Sequence, residues 1–230
     1  NELSISGRKT IVLEERWLKK LEHVLPGDAE VVPNICEMAP HGRGVLTPKE
    51  PIKFLVLSRV DSAKGRDLAI KIVQEVRDRG IESELTITGA KEVEYKKPHK
   101  DWIKSPGWVS EEKRDEILYE TDIMLSPSLY EGSSMSVIES MVSGIPCICS
   151  PVSEETVGIQ ELVVDSTDPT AWADRIEEIL EKREFEAIAK KIKERSPWSS
   201  ERSQVQFLKT SEKLCKYVWK SYEKILINVN

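Results

Sequence analysis

The chain has 230 residues, enough for one large domain or two small ones, and a hydrophobic fraction of 39% that allows a substantial core. Its net charge of −6 argues against nucleic acid as a partner, and no apolar run reaches the length that spans a bilayer. The four cysteines, Cys36, Cys147, Cys149 and Cys215, show neither zinc-ligand spacing nor a disulfide framework, so a reducing, cytoplasmic setting is expected.

Residues 1–50 read as an N-terminal helix and linker region. Glu14 to Val24 has the period of a short helix, with Trp17, Leu18, Leu21 and Val24 on one face, ended by Pro26-Gly27. Glu30 to Pro33 reads as a short strand, and His41 to Pro51, rich in Gly and Pro, as a linker. From Ile52 a strand–helix alternation begins. Ile52 to Leu57 is an apolar strand. Gly65 to Arg79 is a helix with Leu68, Ala69, Ile72, Val73 and Val76 as its buried stripe, closed by Gly80. Glu84 to Thr88 is a strand, and Gly107-Trp108-Val109 reads as a strand end. Ser110 caps a helix through Tyr119. Asp122 to Leu125 is a strand, Ser134 to Ser143 a helix stopped by Gly144, and Pro146 to Cys149 and Leu162 to Val164 two more strands. Asp168-Pro169 starts a helix, with more helix to about Arg195, and a long final helix runs from about Ser200 to Ile227.

Short strands that are apolar on both faces and separated by helices predict an α/β fold with a doubly wound parallel sheet, Rossmann-like, over residues 51–230. Such a sheet binds its ligand at the carboxyl ends of the strands, near the point where the strand order reverses. Two loops at those ends carry chemistry. The first, Ser58 to Gly65, holds Arg59 and Lys64 just before a helix. A guanidinium fork and a mobile ammonium suit a diphosphate, and the plain alternative is two solvated loop charges. The second, Ser126 to Ser134, ends at a helix start whose backbone N–H groups at Ser133, Ser134 and Met135 make an anion site, the alternative being a cap that serves only its own helix. Glu131 beside a phosphate site is unexpected unless it faces sugar or ribose hydroxyls, because a carboxylate can accept two hydrogen bonds from a diol. By spacing alone, Glu139 reads as a surface acid.

Taken together, three motifs make the chain from Ile52 to about Leu180 resemble the C-terminal domain of GT-B glycosyltransferases, specifically the large retaining family four. They are Ser58-Arg59-Val60-Asp61-Ser62-Ala63-Lys64-Gly65, then Pro106-Gly107-Trp108-Val109. The third and most specific runs from Pro127-Ser128 through Glu131-Gly132 and Glu139-Ser140-Met141 to Gly144-Ile145-Pro146, similar to the family's E-x7-E signature. The resemblance implies that Arg59 and Lys64 bind the donor diphosphate together with Ser133, Ser134 and Met135. It implies that Glu131 is the catalytic residue, contacting the transferred sugar beside Gly132 and Ser133. Glu139 would bind the ribose, and Gly107, Trp108 and Val109 would lie against the base. It implies a UDP- or GDP-linked sugar as substrate, retention of anomeric configuration, and neither cofactor nor metal. The sequence departs from the family pattern at Ser133-Ser134, where a Phe-Gly pair is common, and at Ser58, where a Gly is expected.

A GT-B enzyme closes its site with an N-terminal domain that contacts the acceptor, a glycan or lipid. Residues 1–50 are too few to form one, and His23, His41 and His99 match no catalytic position, so this chain alone is expected to be inactive. A nucleotide-sugar-binding module that needs a partner domain is the second reading, and a GT-B-fold nucleotide-sugar epimerase the third. A dinucleotide dehydrogenase is disfavoured, since no G-x-G-x-x-G follows a predicted strand. Lys213, Lys216, Lys220 and Lys224, with Trp219 and Tyr222, would allow the final helix a peripheral membrane contact. A core-facing helix with a basic solvated side is the better reading of the same residues.

Overall fold

The computed structural model describes residues 10–24, 29–31, 33–34, 36, 48–89 and 100–195. The final helix expected from Ser200 to Ile227, His41, His99 and most of the linker lie outside the described residues. The chain divides into two units, Asn1–Glu37 with Pro197–Asn230, and Met38–Ser196.

In the first unit, strand β1 (Thr10–Val12) pairs in parallel with β2 (Ala29–Val31), and helix α1 (Glu15–Leu21) lies between them in sequence. β1 carries too short an apolar run to be read from periodicity. The expected apolar stripe of α1 does not form a buried face: the helix buries none of its residues, and Val24 beyond it is exposed.

Among the described residues the second unit holds five strands: β3 (Ile52–Val56), β4 (Ser83–Thr88), β5 (Ile103–Gly107), β6 (Ile123–Ser126) and β7 (Cys147–Cys149). All pair in parallel, in the order β5-β4-β3-β6-β7. Every residue of β6 and β7 is buried, as a parallel sheet covered on both faces requires. Burial pushes the Cys149 thiol up to about 12 and raises Cys147 well above its ordinary value, so both act as small core hydrophobes. The connection β3–α2–β4 moves toward one edge and β6–α4–β7 toward the other. Right-handed crossovers therefore lay α2 (Arg66–Asp78) and α4 (Met135–Val142) on opposite faces. At the β5 edge, Pro106 can donate no ladder hydrogen bond, and Lys104 pairs with Glu84 of β4 at 2.6 Å.

The helices follow from their spacing and caps. Ala69, Ile72, Val73 and Val76 of α2 are fully buried, the Ile and Val side chains being worth about 1.5–3 kcal/mol each on burial. Ser110 accepts a hydrogen bond from Lys113 N–H to start α3 (Glu111–Glu120). Asp168 accepts from Thr170 N–H, with Pro169 in the first turn of α6 (Pro169–Leu180). Trp172 of α6 is fully buried and its indole N–H donates to Ser166 O at 2.8 Å. Arg79, just past α2, bonds Asp174 and Glu177 of α6 at 2.6 and 3.0 Å, tying the two helices together. Helices α5 (Glu154–Val157) and α7 (Lys182–Arg195) complete the layer set, α7 adding Phe185, Ile188 and Ile192 to the core. The strand expected at Leu162 to Val164 is instead a 3-10 turn, Gln160–Leu162, followed by a single bridge from Val163 to Cys149. Val164 N–H donates to Cys149 O at 2.9 Å, and the pairing goes no further than that bridge.

The loops after β3 and β6 touch through backbone. Gly65 has φ +66, and a Cβ there would stand 1.9 Å from the Pro127 carbonyl oxygen. Gly80 has φ +92 with nothing within 4 Å of the same position. Gly80→Ala should therefore cost only the left-handed backbone term of about 1–2 kcal/mol, whereas Gly65→Ala should cost distinctly more because the two loops must separate. Urea unfolding of both variants measures the difference, and equal midpoints would show that the β6 loop yields freely.

Candidate functional site

The strand order reverses between β3 and β6, and the loops leaving these two strands face one another. On the first, Asp61 accepts from Ala63 N–H at 2.9 Å and caps a 3-10 turn, Ser62–Lys64, after which Gly65 swings the chain into α2. On the second, Leu129 N–H donates to Ala63 O at 2.7 Å, joining the loops. Lys64 and Glu131 meet across this junction. The ammonium donates to both carboxylate oxygens, at 2.8 and 2.9 Å, and Ser128 Oγ donates to Glu131 Oε1 at 2.8 Å. The Glu131 side chain is 7% exposed and that of Lys64 19%, so the pair is shielded from water, where ionic contacts are strongest and least screened. Ser128, buried and bonded to Glu131, was quoted in a sequence motif but given no role there. Its place three residues before a glutamate on the same loop was the available signal.

A pocket of about 440 Å³ opens at the carboxyl ends of β3, β4 and β5, reached by Arg59 from the loop that carries Lys64 and by Met135 from the end of the loop that carries Glu131. Arg59, Trp108, Val109, Met135 and Glu139 line it, along with Arg114, which sequence reading missed. Trp108 stands 81% exposed at the rim, an aromatic face open to a planar ligand. Gly107 closes β5 with φ 80, and its carbonyl accepts from Gly89 N–H at 2.7 Å, so it shapes the floor without lining the pocket. The expected residues thus fall into two groups. Arg59, Trp108, Val109, Met135 and Glu139 share the pocket, while Lys64 and Glu131 form the ion pair. Gly132, Ser133 and Ser134 are the stretch of chain that links Glu131 to Met135 at the start of α4. Ser134 is the N-cap of α4, but its side chain makes no capping bond and instead approaches Ser136 Oγ at 3.1 Å. The first-turn N–H groups of such a helix are suited to an outside acceptor.

Two arginines extend the site beyond the sequence reading. Arg66 is buried, and its guanidinium donates to Ser58 O at 2.6 Å, Thr88 O at 2.9 Å and Ser58 Oγ at 3.1 Å. All three acceptors are neutral, so a buried positive charge locks the ends of β3 and β4 behind the pocket. The signal was a cation in the first turn of a helix, where the macrodipole disfavours one. Arg114 of α3 bonds Glu139 Oε1 at 3.3 Å and Asp115 Oδ1 at 3.1 Å. Glu139 is not the surface acid that its spacing suggests: its side chain is 16% exposed. Burial raises its pKa above the ordinary carboxylate value, and Arg114 only partly opposes that.

Among the described residues no group of three His, Cys, Asp or Glu is placed to hold a metal ion, and no helix is long and apolar enough to cross a membrane.

The raised pKa of Glu139 means that the folded state holds this proton more readily than the unfolded chain. Its contribution to stability is present below the unfolded pKa and is lost as pH rises through the folded value. Glu139→Gln should therefore be at least as stable as the parent at about pH 7, with the advantage shrinking toward about pH 4. Urea midpoints across that range report it. A variant less stable than the parent at neutral pH would show that Arg114 fully compensates the buried charge.

Comparison with known proteins agrees with this architecture. Residues 51–182 match the model of the family described as glycosyl transferases group 1. The O-antigen chain mannosyltransferase B of Escherichia coli is 32% identical over 90 residues, covering 38% of this chain and 24% of that protein. The amylovoran biosynthesis glycosyltransferase AmsK of Erwinia amylovora is 30% identical over 127 residues, covering 50% of this chain and 30% of that one. The solved pneumococcal O-GlcNAc transferase GtfA, in complex with UDP and GlcNAc, superposes with a TM-score of 0.70 at 18% identity, over 90% of this chain and 45% of that chain. At that identity the likeness concerns the fold, which is that of GT-B glycosyltransferase domains. The chain spans about a quarter to a third of the length of the curated relatives it matches. The family match covers more than half of the 230 residues, and this chain belongs to the glycosyl transferases group 1 family, as a C-terminal-type domain.

Proposed function

We propose that this chain is the donor-binding half of a glycosyltransferase, which moves a sugar from a nucleotide diphosphate to an acceptor with retention of configuration. One observation supports the reading: the Lys64–Glu131 pair and the pocket of Arg59, Trp108 and Glu139 draw on the same two loops, which leave β3 and β6 where the strand order of a parallel sheet reverses. In this reading Arg59, Lys64 and the backbone of Ser133, Ser134 and Met135 bind the diphosphate. Glu131 faces the transferred sugar, beside Gly132 and Ser133. Glu139 accepts from the ribose hydroxyls, and Trp108 with Gly107 and Val109 meets the base. A UDP- or GDP-linked hexose suits the cationic loop, and the relatives that act on mannose or bind UDP are in keeping with it.

The chemistry asked of these residues is electrostatic. As the glycosidic bond lengthens, negative charge grows on the departing diphosphate and positive charge on the anomeric carbon. Arg59, Lys64 and the start of α4 stabilise the first. The Glu131 carboxylate stabilises the second. The acceptor, a glycan or lipid, would be held by residues beyond this chain, which accords with the fraction of its relatives that the chain spans. That same fraction favours, as the second reading, a nucleotide-sugar-binding subunit that turns over only with a partner domain.

Lys64→Ala should weaken binding of UDP or GDP by about 1.5–3 kcal/mol, roughly 10- to 150-fold, while uridine or guanosine binding stays nearly unchanged. Isothermal calorimetry on both ligand classes decides it. Equal losses for nucleoside and nucleoside diphosphate would remove Lys64 from phosphate recognition. Paired with a sugar-release assay on the same protein, binding without turnover would favour a fragment or subunit that needs a partner domain over a chain that is active by itself.

A further inference from the structure

Lys64 has three ammonium protons, and two are directed at the two oxygens of Glu131. An anion that is to reach this ammonium must share it with a carboxylate already in place. That carboxylate is not free to swing aside, because buried Ser128 also donates to its Oε1. The junction of the two loops, closed by Leu129 N–H on Ala63 O and by the Gly65–Pro127 approach, leaves little room for the pair to separate by backbone movement.

The donor and the spent nucleotide meet this arrangement differently. A nucleotide sugar carries a diester at its outer phosphate and brings hydroxyl donors on the sugar. Those hydroxyls can hydrogen-bond the Glu131 oxygens, so that Lys64 becomes available to phosphate while the carboxylate remains satisfied. A nucleoside diphosphate has a terminal phosphate with a further negative charge and lacks the hydroxyls of the transferred sugar. It would compete with Glu131 for Lys64 and be repelled by the same carboxylate across a shielded space, where like charges interact strongly.

We propose that Glu131 is the residue by which the site discriminates against the sugar-free nucleoside diphosphate, with Ser128 as the positioning residue that fixes its carboxylate on Lys64. The inference rests on the donor-binding reading above. It gives Glu131 a role distinct from stabilising the reacting sugar: it speeds departure of the spent nucleotide by reclaiming Lys64. A retained product would otherwise occupy the site as an inhibitor.

Glu131→Gln keeps the shape of the side chain, and its amide oxygen can still accept from Lys64 or Ser128, while the negative charge is removed. Calorimetry on the 230-residue chain, with UDP, GDP, UDP-glucose and GDP-mannose as probes, tests the idea. The variant should bind its preferred nucleoside diphosphate about tenfold more tightly than the parent, with the matching nucleotide sugar unchanged or weaker. A site that is merely loosened loses affinity for both ligands, so a gain for one alone cannot arise from structural damage. A Glu131→Gln variant that binds UDP or GDP no more tightly than the parent overturns the proposal. Should that variant fail to fold, Ser128→Ala decides: releasing the carboxylate should give a smaller gain of the same sign, roughly twofold to fivefold, and no gain overturns it. If the parent chain itself does not prefer nucleoside diphosphates over nucleosides, the donor-binding reading fails and this inference with it. A failure confined to the variants leaves that reading standing.

Discussion

Gly65 and the Pro127 carbonyl approach so closely that no side chain fits between them, and most of the site depends on that approach. It brings the loop after β3 against the loop after β6 at the one place where the strand order reverses. Leu129 then bonds back to Ala63, Lys64 reaches Glu131, and α4 starts at Met135 with its first turn toward the pocket. A residue with a Cβ at position 65 would hold the loops apart and deny Lys64 its partner. The left-handed turn at Gly65 also sets the direction in which α2 leaves, so one backbone conformation serves both the packing of a core helix and the geometry of a charged pair.

The fold was largely legible because its strands are short, apolar on both faces and separated by periodic helices. Ile52 to Leu57, Gly65 to Arg79 and Asp168-Pro169 needed only local rules of burial and capping. Elements that lack those signals escaped. Thr10–Val12 is too short to show a period, and Val163 forms a single bridge that an apolar triplet cannot distinguish from a strand. Ile103–Gly107 was glimpsed only at its end, because Lys104, Ser105 and Pro106 give it a polar and broken pattern. The site was legible where chemistry is unusual for its position, as with Glu131 beside a helix start. It was not legible where partners come from distant segments. Arg114 lies 25 residues from Glu139, and Arg66 joins two strand ends through neutral carbonyls, so neither leaves a motif along the chain.

The buried charges around the candidate site come at some expense to the isolated fold. Burial of Glu139 costs more than Arg114 returns, and Arg66 is buried among acceptors that carry no charge. Such groups are poor choices for stability alone, since a buried ion gains most when an opposite ion answers it. Glu139 lines the pocket, and Arg66 braces the strand ends behind it. Elsewhere, Trp172, Phe54 and the aliphatic faces of α2 and β6 are fully buried, and Arg79 meets three acids at the surface.

The β5 edge has a consequence for how this domain behaves among copies of itself. An edge strand with a full row of outward N–H and C=O groups is a template on which another chain can add a strand. Pro106 interrupts that row, and Lys104 and Glu84 set charges beside it. At the opposite end of the sheet β7 is only three residues long, and Val163 already occupies its outer side through one bridge. Both margins of the described sheet are thus poor templates for edge-to-edge growth. Addition of a strand from a neighbouring copy to this five-stranded sheet is therefore disfavoured.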